Sequence, residues 1–156
     1  MHWMDVNIAS MKSPLEERCN AEIVRLHEAF VTWFTASCDN TTEFYESEIA
    51  SVLSPSFSMV PPSGNVVPAK VLNERLKSAY GVHSEHGITI DIKNVEVLSG
   101  SNFGHLVRYE EWQRSGGPEQ ETARVSTAFF QESEGSGPNN LLWVNVHETW
   151  MPGKGP

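Results

Sequence analysis

A chain of 156 residues with 39% hydrophobic and 20% charged residues has the length and composition of one globular domain with a real core. Its 20 acidic against 11 basic residues leave a net charge of −9, which repels a phosphate backbone and argues against nucleic acid as a partner. No apolar run approaches the roughly 18 residues that span a bilayer, and the start lacks the basic and apolar stretches of a secretory signal; no membrane and a cytoplasmic location are expected.

Residues 1–12 show no periodicity and are expected to form a flexible arm before a single domain over 13–152, with 153–156 as a tail. Ser13-Pro14-Leu15-Glu16 is a helix opening: serine as N-cap, proline at the first helical position, and a glutamate placed to complete a capping box. Leu15, Cys19, Ile23, Leu26, Phe30, Trp33 and Phe34 then recur at three- and four-residue steps, predicting one amphipathic helix that ends near Asp39-Asn40. Cys19 and Cys38 near its two ends are about 28 Å apart at 1.5 Å per residue, too far for a disulfide, and are read as free thiols. A second helix is expected over 43–53, stopped by Ser54-Pro55. A short strand over 56–60 and a rigid Pro61-Pro62-Ser63-Gly64 turn follow. A third helix begins near Pro68, turns Leu72, Leu76, Ala79 and Tyr80 inward, and ends at Gly81.

The rest alternates as strands: Ile88 to about Leu98, His105 to Gln113, Thr122 to Gln131 and Leu141 to Trp150, divided by turn-rich breaks. Helices first and an antiparallel meander last is an α+β order. A curved sheet folded over helices encloses a cone, and a cone can hold a small molecule.

This order, with Arg108-Tyr109-Glu110-Glu111-Trp112-Gln113 followed by Gly116-Gly117, and with Trp143-Val144-Asn145-Val146-His147, resembles the nuclear-transport-factor-2-like superfamily. That superfamily includes the SnoaL-like cyclases and ketosteroid isomerase. The resemblance is strongest to the association domain of calmodulin-dependent kinase II and its bacterial relatives of unknown function. It covers about residues 15–152 and implies a cone-shaped, cystatin-like fold, three helices packed in a strongly curved, mainly antiparallel sheet. It leaves function open, since the fold hosts enzymes, binders and assembly domains.

In the isomerase-type members a carboxylate after the first short strand moves a proton; here that place falls on Pro61, which disfavours the same mechanism. On the kinase-domain alignment Arg108 lies where a pocket arginine is placed, while two further pocket arginines fall on Ala128 and Trp150 and are missing. Alternation puts Arg108, Glu110 and Trp112 on one face and Val107, Tyr109 and Glu111 on the other. Arg108 is then either a ligand-binding group, with Arg124, in a cone lined by Trp112, Phe130, Val146 and Trp150, or one half of an internal bridge to Glu148 or Glu110. Catalytic candidates are Glu148, His147 and Glu110. Strict alternation, however, groups His147 with Trp143 and Asn145, on a face that can equally be the outer one. His83-Ser84-Glu85-His86 lacks further ligands for a metal site, and no cofactor motif is present; neither metal nor cofactor is expected. Trp112, Phe129, Phe130, Trp143 and Trp150 fall on both faces of the sheet, so some lie outside and predict a homodimer. The expectation is a binder of a small organic acid or apolar metabolite. The alternatives are a cofactor-free isomerase, dehydratase or cyclase, and an assembly module without an active pocket.

Overall fold

The computed structural model describes residues 12–116 and 120–156. The expected N-terminal arm lies, Lys12 apart, outside the described residues. Helix α1 spans Pro14–Phe34, and the Ser13 side chain accepts from the Glu16 amide as its N-cap. It stops before Asp39-Asn40 because the Thr35 hydroxyl takes the Val31 carbonyl at 2.7 Å and Ala36 turns left-handed at φ 55°. Helix α2, Thr42–Glu48, is capped by Thr41 and runs through a single 3₁₀ turn, Ala50–Val52, into strand β1, Leu53–Val60. The two-residue strand β2, Val67–Pro68, leads into α3, Ala69–Ser78. Strands β3, Thr89–Gly100, β4, Gly104–Arg114, β5, Glu121–Glu132, and β6, Leu141–Trp150, complete the chain.

The six strands form one sheet in the order β2-β1-β6-β5-β4-β3. All neighbours are antiparallel except β1 and β6, which run parallel. Strand β1 starts earlier than alternation indicated and tolerates Pro55 because its register with β6 shifts between Leu53 and Ser58, where no ladder bond is lost. The sheet curls around α1, and the core lies between them: Ile23, Leu26 and Trp33 from the helix meet Val107, Tyr109, Phe130 and Trp143 from the strands. Helix α3 has no fully buried residue and only leans Leu72 and Leu76 onto this core. Among the described residues no helix is long and apolar enough to cross a membrane. The fold is the α+β, cystatin-like cone.

One charged residue is central to the packing. Glu22 is fully buried on the core side of α1. It accepts from Arg25 Nε at 3.0 Å and a second Arg25 nitrogen at 2.9 Å, from Asn139 Nδ2 at 3.1 Å, and from Trp143 Nε1 at 2.9 Å. Every expected lone pair is taken, as a buried carboxylate requires. The result fastens α1 to β6 and to the loop before it.

Candidate functional site: the polar floor of the cone

Register decides which side chains enter the cone. The pairs Glu111–Arg124, Tyr109–Ser126 and Val107–Ala128 join β4 to β5, and Ser126–Glu148, Ala128–Val146 and Phe130–Trp143 join β5 to β6. These residues share the concave face, with His27 of α1 opposite. They enclose a cavity of about 200 Å³. Its walls are apolar, with Leu26, Phe30, Phe57, Met59, Leu72 and Ile90; its floor is polar, with His27, Tyr109, Glu111, Arg124 and Glu148.

His27 is almost fully buried. Its Nδ1 lies 2.7 Å from the Ile23 carbonyl and its Nε2 2.9 Å from Glu111 Oε1. A carbonyl only accepts, so Nδ1 carries a proton, and a second proton is held between Nε2 and the Glu111 carboxylate. Burial opposes charging the imidazole, but the charge and hydrogen bond of Glu111 outweigh it and hold the His27 pKa above its usual value. Burial likewise works to raise Glu111, and His27, with help from Arg124 and Gln113, brings it well below the ordinary carboxylate range.

Glu148 is buried as deeply and held differently. Arg124 donates to its Oε1 at 3.3 Å and the Ser126 hydroxyl to its Oε2 at 3.3 Å, both long. Burial raises its pKa, the nearby Glu111 charge raises it further, and Arg124 only partly offsets them. The Arg124 guanidinium lies 4.7 Å from the centre of the Trp150 ring, and its Nε is buried without a partner. The floor thus carries two carboxylates with proton affinities pushed apart, Glu111 bonded to His27 and Glu148 to Arg124. Tyr109, whose phenol burial holds protonated, sits between them.

Of the residues singled out from sequence, Arg124, Phe130, Val146, Trp150 and Glu148 lie on the concave face. Arg108, Trp112, Glu110 and His147 do not. Arg108 is half-exposed on the convex face and pairs with Glu96 at 3.1 Å, so neither proposed bridge, to Glu148 or to Glu110, is formed. Trp112 lies there between Lys93 and Lys154 and donates to Glu110, which also accepts from Asn94. His147 is exposed. Alternation separates the two faces of β4, and the concave one is that of Val107, Tyr109 and Glu111 rather than that of Arg108, Glu110 and Trp112. The reason is energetic: facing Arg108 and Glu110 inward would bury two charges, whereas the observed facing buries Val107, Tyr109 and one carboxylate that finds His27. Strand β6 departs from strict alternation because its register with β5 shifts by one residue, so Trp143 and Val146 both point inward and His147 separates from Trp143.

Sequence reading missed His27 and Glu111. The signal was a histidine between Leu26 and Phe30 on the buried stripe of α1, where an unpaired imidazole would be costly. Pro61 ends β1 and does not line the cavity. His83 packs against the Phe34 ring and His86 is exposed; among the described residues no three metal-ligating side chains gather.

Comparison with known proteins agrees on the architecture. An NTF-2 like protein of unknown function from Pseudomonas aeruginosa superposes with a TM-score of 0.74 at 23% identity, over 86% of this chain and 98% of its own. The CaMKII hub of S. rosetta gives 0.65 at 9% identity, over 90% and 100%. A hexachlorocyclohexane dehydrochlorinase of Novosphingobium barchaimii gives 0.57 at 12%, over 88% and 90%. These are nuclear-transport-factor-2-like folds, and the resemblance read from the sequence holds. Sucrose-phosphatases 2 and 1 of Nicotiana tabacum are 24% and 23% identical over 132 residues, which make up 85% of this chain. The chain spans only 30% of the length of those relatives. The model of a family described as sucrose-6-phosphate phosphohydrolase C-terminal matches residues 19–152, from the second turn of α1 through the end of β6, and the chain belongs to that family.

Proposed function

We propose that the cone binds one small, mainly apolar molecule carrying a hydroxyl or carbonyl group. The observation that carries this reading is an apolar-walled cavity with a polar floor, His27, Tyr109, Glu111, Arg124 and Glu148, with Gln113 bonded to Glu111 at its edge. Those groups are already balanced, Arg124 by Glu148 and His27 by Glu111. An organic acid would have to displace Glu148 and then face two carboxylates, which favours the neutral half of the ligand class expected from sequence. The names of the tobacco relatives point to a sugar phosphate, but a phosphate meets the same repulsion. Each sugar hydroxyl left unpaired against the apolar walls would cost about 1–3 kcal/mol.

A thermal-shift panel of neutral cyclic ketones and alcohols beside small carboxylic acids tests this. A ligand at about 100 times its Kd stabilises by about 2.7 kcal/mol, a rise in Tm of about 5–10 °C for a domain of this size. The expected result is a neutral compound that shifts wild type and Arg108→Ala alike but not Leu72→Trp, which plugs the cavity from the loosely packed α3. Acids alone giving the shift, or an undiminished shift in the plugged variant, would contradict the reading.

A second reading, self-association through the convex face, is favoured by Leu106 and Phe129. They lie opposite each other in the register and are both 37% exposed, with Leu98 and Phe103 exposed nearby. It is compatible with the first, because it uses the other side of the sheet.

A further inference from the structure

We propose that the cone is a proton-transfer site with Glu148 as its general base, acting on an apolar, ring-bearing molecule that has an acidic C–H. This rests on the cone being a binding site and adds a reaction to it.

The geometry sets Glu148 apart from every other buried carboxylate of the described chain. Glu22 takes four hydrogen bonds of 2.9–3.1 Å and Glu111 is engaged on both oxygens by His27 and Gln113. Glu148, like Glu111, has one bond to each oxygen, but both are long at 3.3 Å, from Arg124 and from Ser126, and neither partner shares a proton with it as His27 does with Glu111. A carboxylate offers about four lone-pair sites. Glu148 therefore keeps acceptor capacity while 6% exposed, and the cavity is the space it borders. The groups facing it are Arg124 and Ser126 of β5, Glu111 and Tyr109 of β4 and His27 of α1; β1 and α3 bring only Leu53, Phe57, Met59, Leu72 and Leu76 to the same cavity. Water that would weaken a carboxylate base is thus replaced by apolar walls, and the raised proton affinity of Glu148 strengthens it. Arg124, braced on Trp150, keeps the carboxylate aimed without a short, competing hydrogen bond. The His27–Glu111 proton is committed to its own pair, so the two carboxylates do not compete for one role.

Ring opening of nitrobenzisoxazole is a probe that requires only a base in an apolar site. A Glu148 oxygen takes the ring C–H proton, the C–H electron pair becomes the third bond of a nitrile, and the N–O bond breaks to leave a coloured phenolate. No oxidant, reductant or cofactor enters. The same chain is titrated with nitrobenzotriazole, which has the shape of the probe, donates an N–H to a carboxylate and cannot open. Expected are saturable turnover about 100-fold faster than with acetate at equal carboxylate concentration, and a rate that climbs as pH rises through the Glu148 titration. Glu148→Gln should lose that rate while the convex-face control Glu96→Gln keeps it. Glu148→Asp, which retains a carboxylate, should recover part of it and guards against a misfolded glutamine variant. Binding of nitrobenzotriazole without turnover, or turnover that survives in Glu148→Gln, overturns the base and leaves the cone a binding site. Neither binding nor turnover overturns both.

Discussion

Glu22→Ala is expected to destabilise the domain by about 3–5 kcal/mol, the range for breaking a buried ion pair by removing one partner. Glu22 is wholly buried and holds Arg25, Asn139 and Trp143 at once, so its loss leaves an indole N–H and an amide without acceptors and a largely buried guanidinium with only Glu48. It also unfastens α1 from β6, the two elements that close the core. In urea the midpoint should fall while the slope stays near that of wild type, because the surface exposed on unfolding is unchanged. A loss below about 1 kcal/mol would mean that water replaces the carboxylate and that the network is not what joins helix to sheet. The Arg18–Glu132 pair, a third exposed, makes a useful contrast: its removal should cost far less.

Trp143→Glu is expected to abolish cooperative folding. Trp143 is 2% exposed, meets Phe130 edge-on at 4.5 Å between ring centres, and donates its indole N–H to Glu22. Deleting a buried tryptophan costs about 3–5 kcal/mol on its own. A glutamate there adds a second buried carboxylate beside Glu22, and the combined cost approaches the roughly 5–15 kcal/mol that a domain has. Near-ultraviolet circular dichroism should lose its tertiary signal. Trp143→Phe, which keeps a ring but not the hydrogen bond, should stay folded and lose about 1–3 kcal/mol. A folded Trp143→Glu protein with an altered sedimentation coefficient would place this residue on an associating surface, where strict alternation along β6 had grouped it with His147.

The contrast between these core residues and the site explains what could be read from sequence. Strands β3 to β6 and their order were legible because Gly, Pro, Asn and Ser runs divide alternating segments, and α1 was legible from Ser13-Pro14 and its stripe. These signals are local. The parallel pairing of β1 with β6 and the register shift beside Trp143 are long-range, and no local pattern encodes them. That is why strict alternation groups His147 with Trp143, although His147 is exposed and Trp143 is buried. For β4, alternation gives two faces but not which one is concave; that is decided by His27, eighty-four residues upstream of Glu111, offering a partner for one charge and none for Arg108. Glu22 and His27 sit on the same apolar stripe as Cys19, Ile23 and Leu26, where two ionisable groups mark a helix that packs against polar partners. The kinship with sucrose-phosphatases shows as a family match over residues 19–152 and 24% identity over 132 residues, and the residue patterns of the single sequence do not reveal it.

The central claim is that a small neutral molecule enters the concave side of the sheet, and methyl-resolved NMR with a neutral cyclic ketone tests it most directly. Shifts are expected at Leu26, Leu53, Leu72, Leu76, Ile90 and Val146, whose methyls line the cavity, and not at Leu98, Leu106 or Val125. They should saturate with concentration and vanish in Leu72→Trp. Shifts confined to the convex-face methyls, or cavity methyls that stay fixed while the ketone saturates elsewhere, would contradict a binding cone and turn attention to the outer face of the sheet.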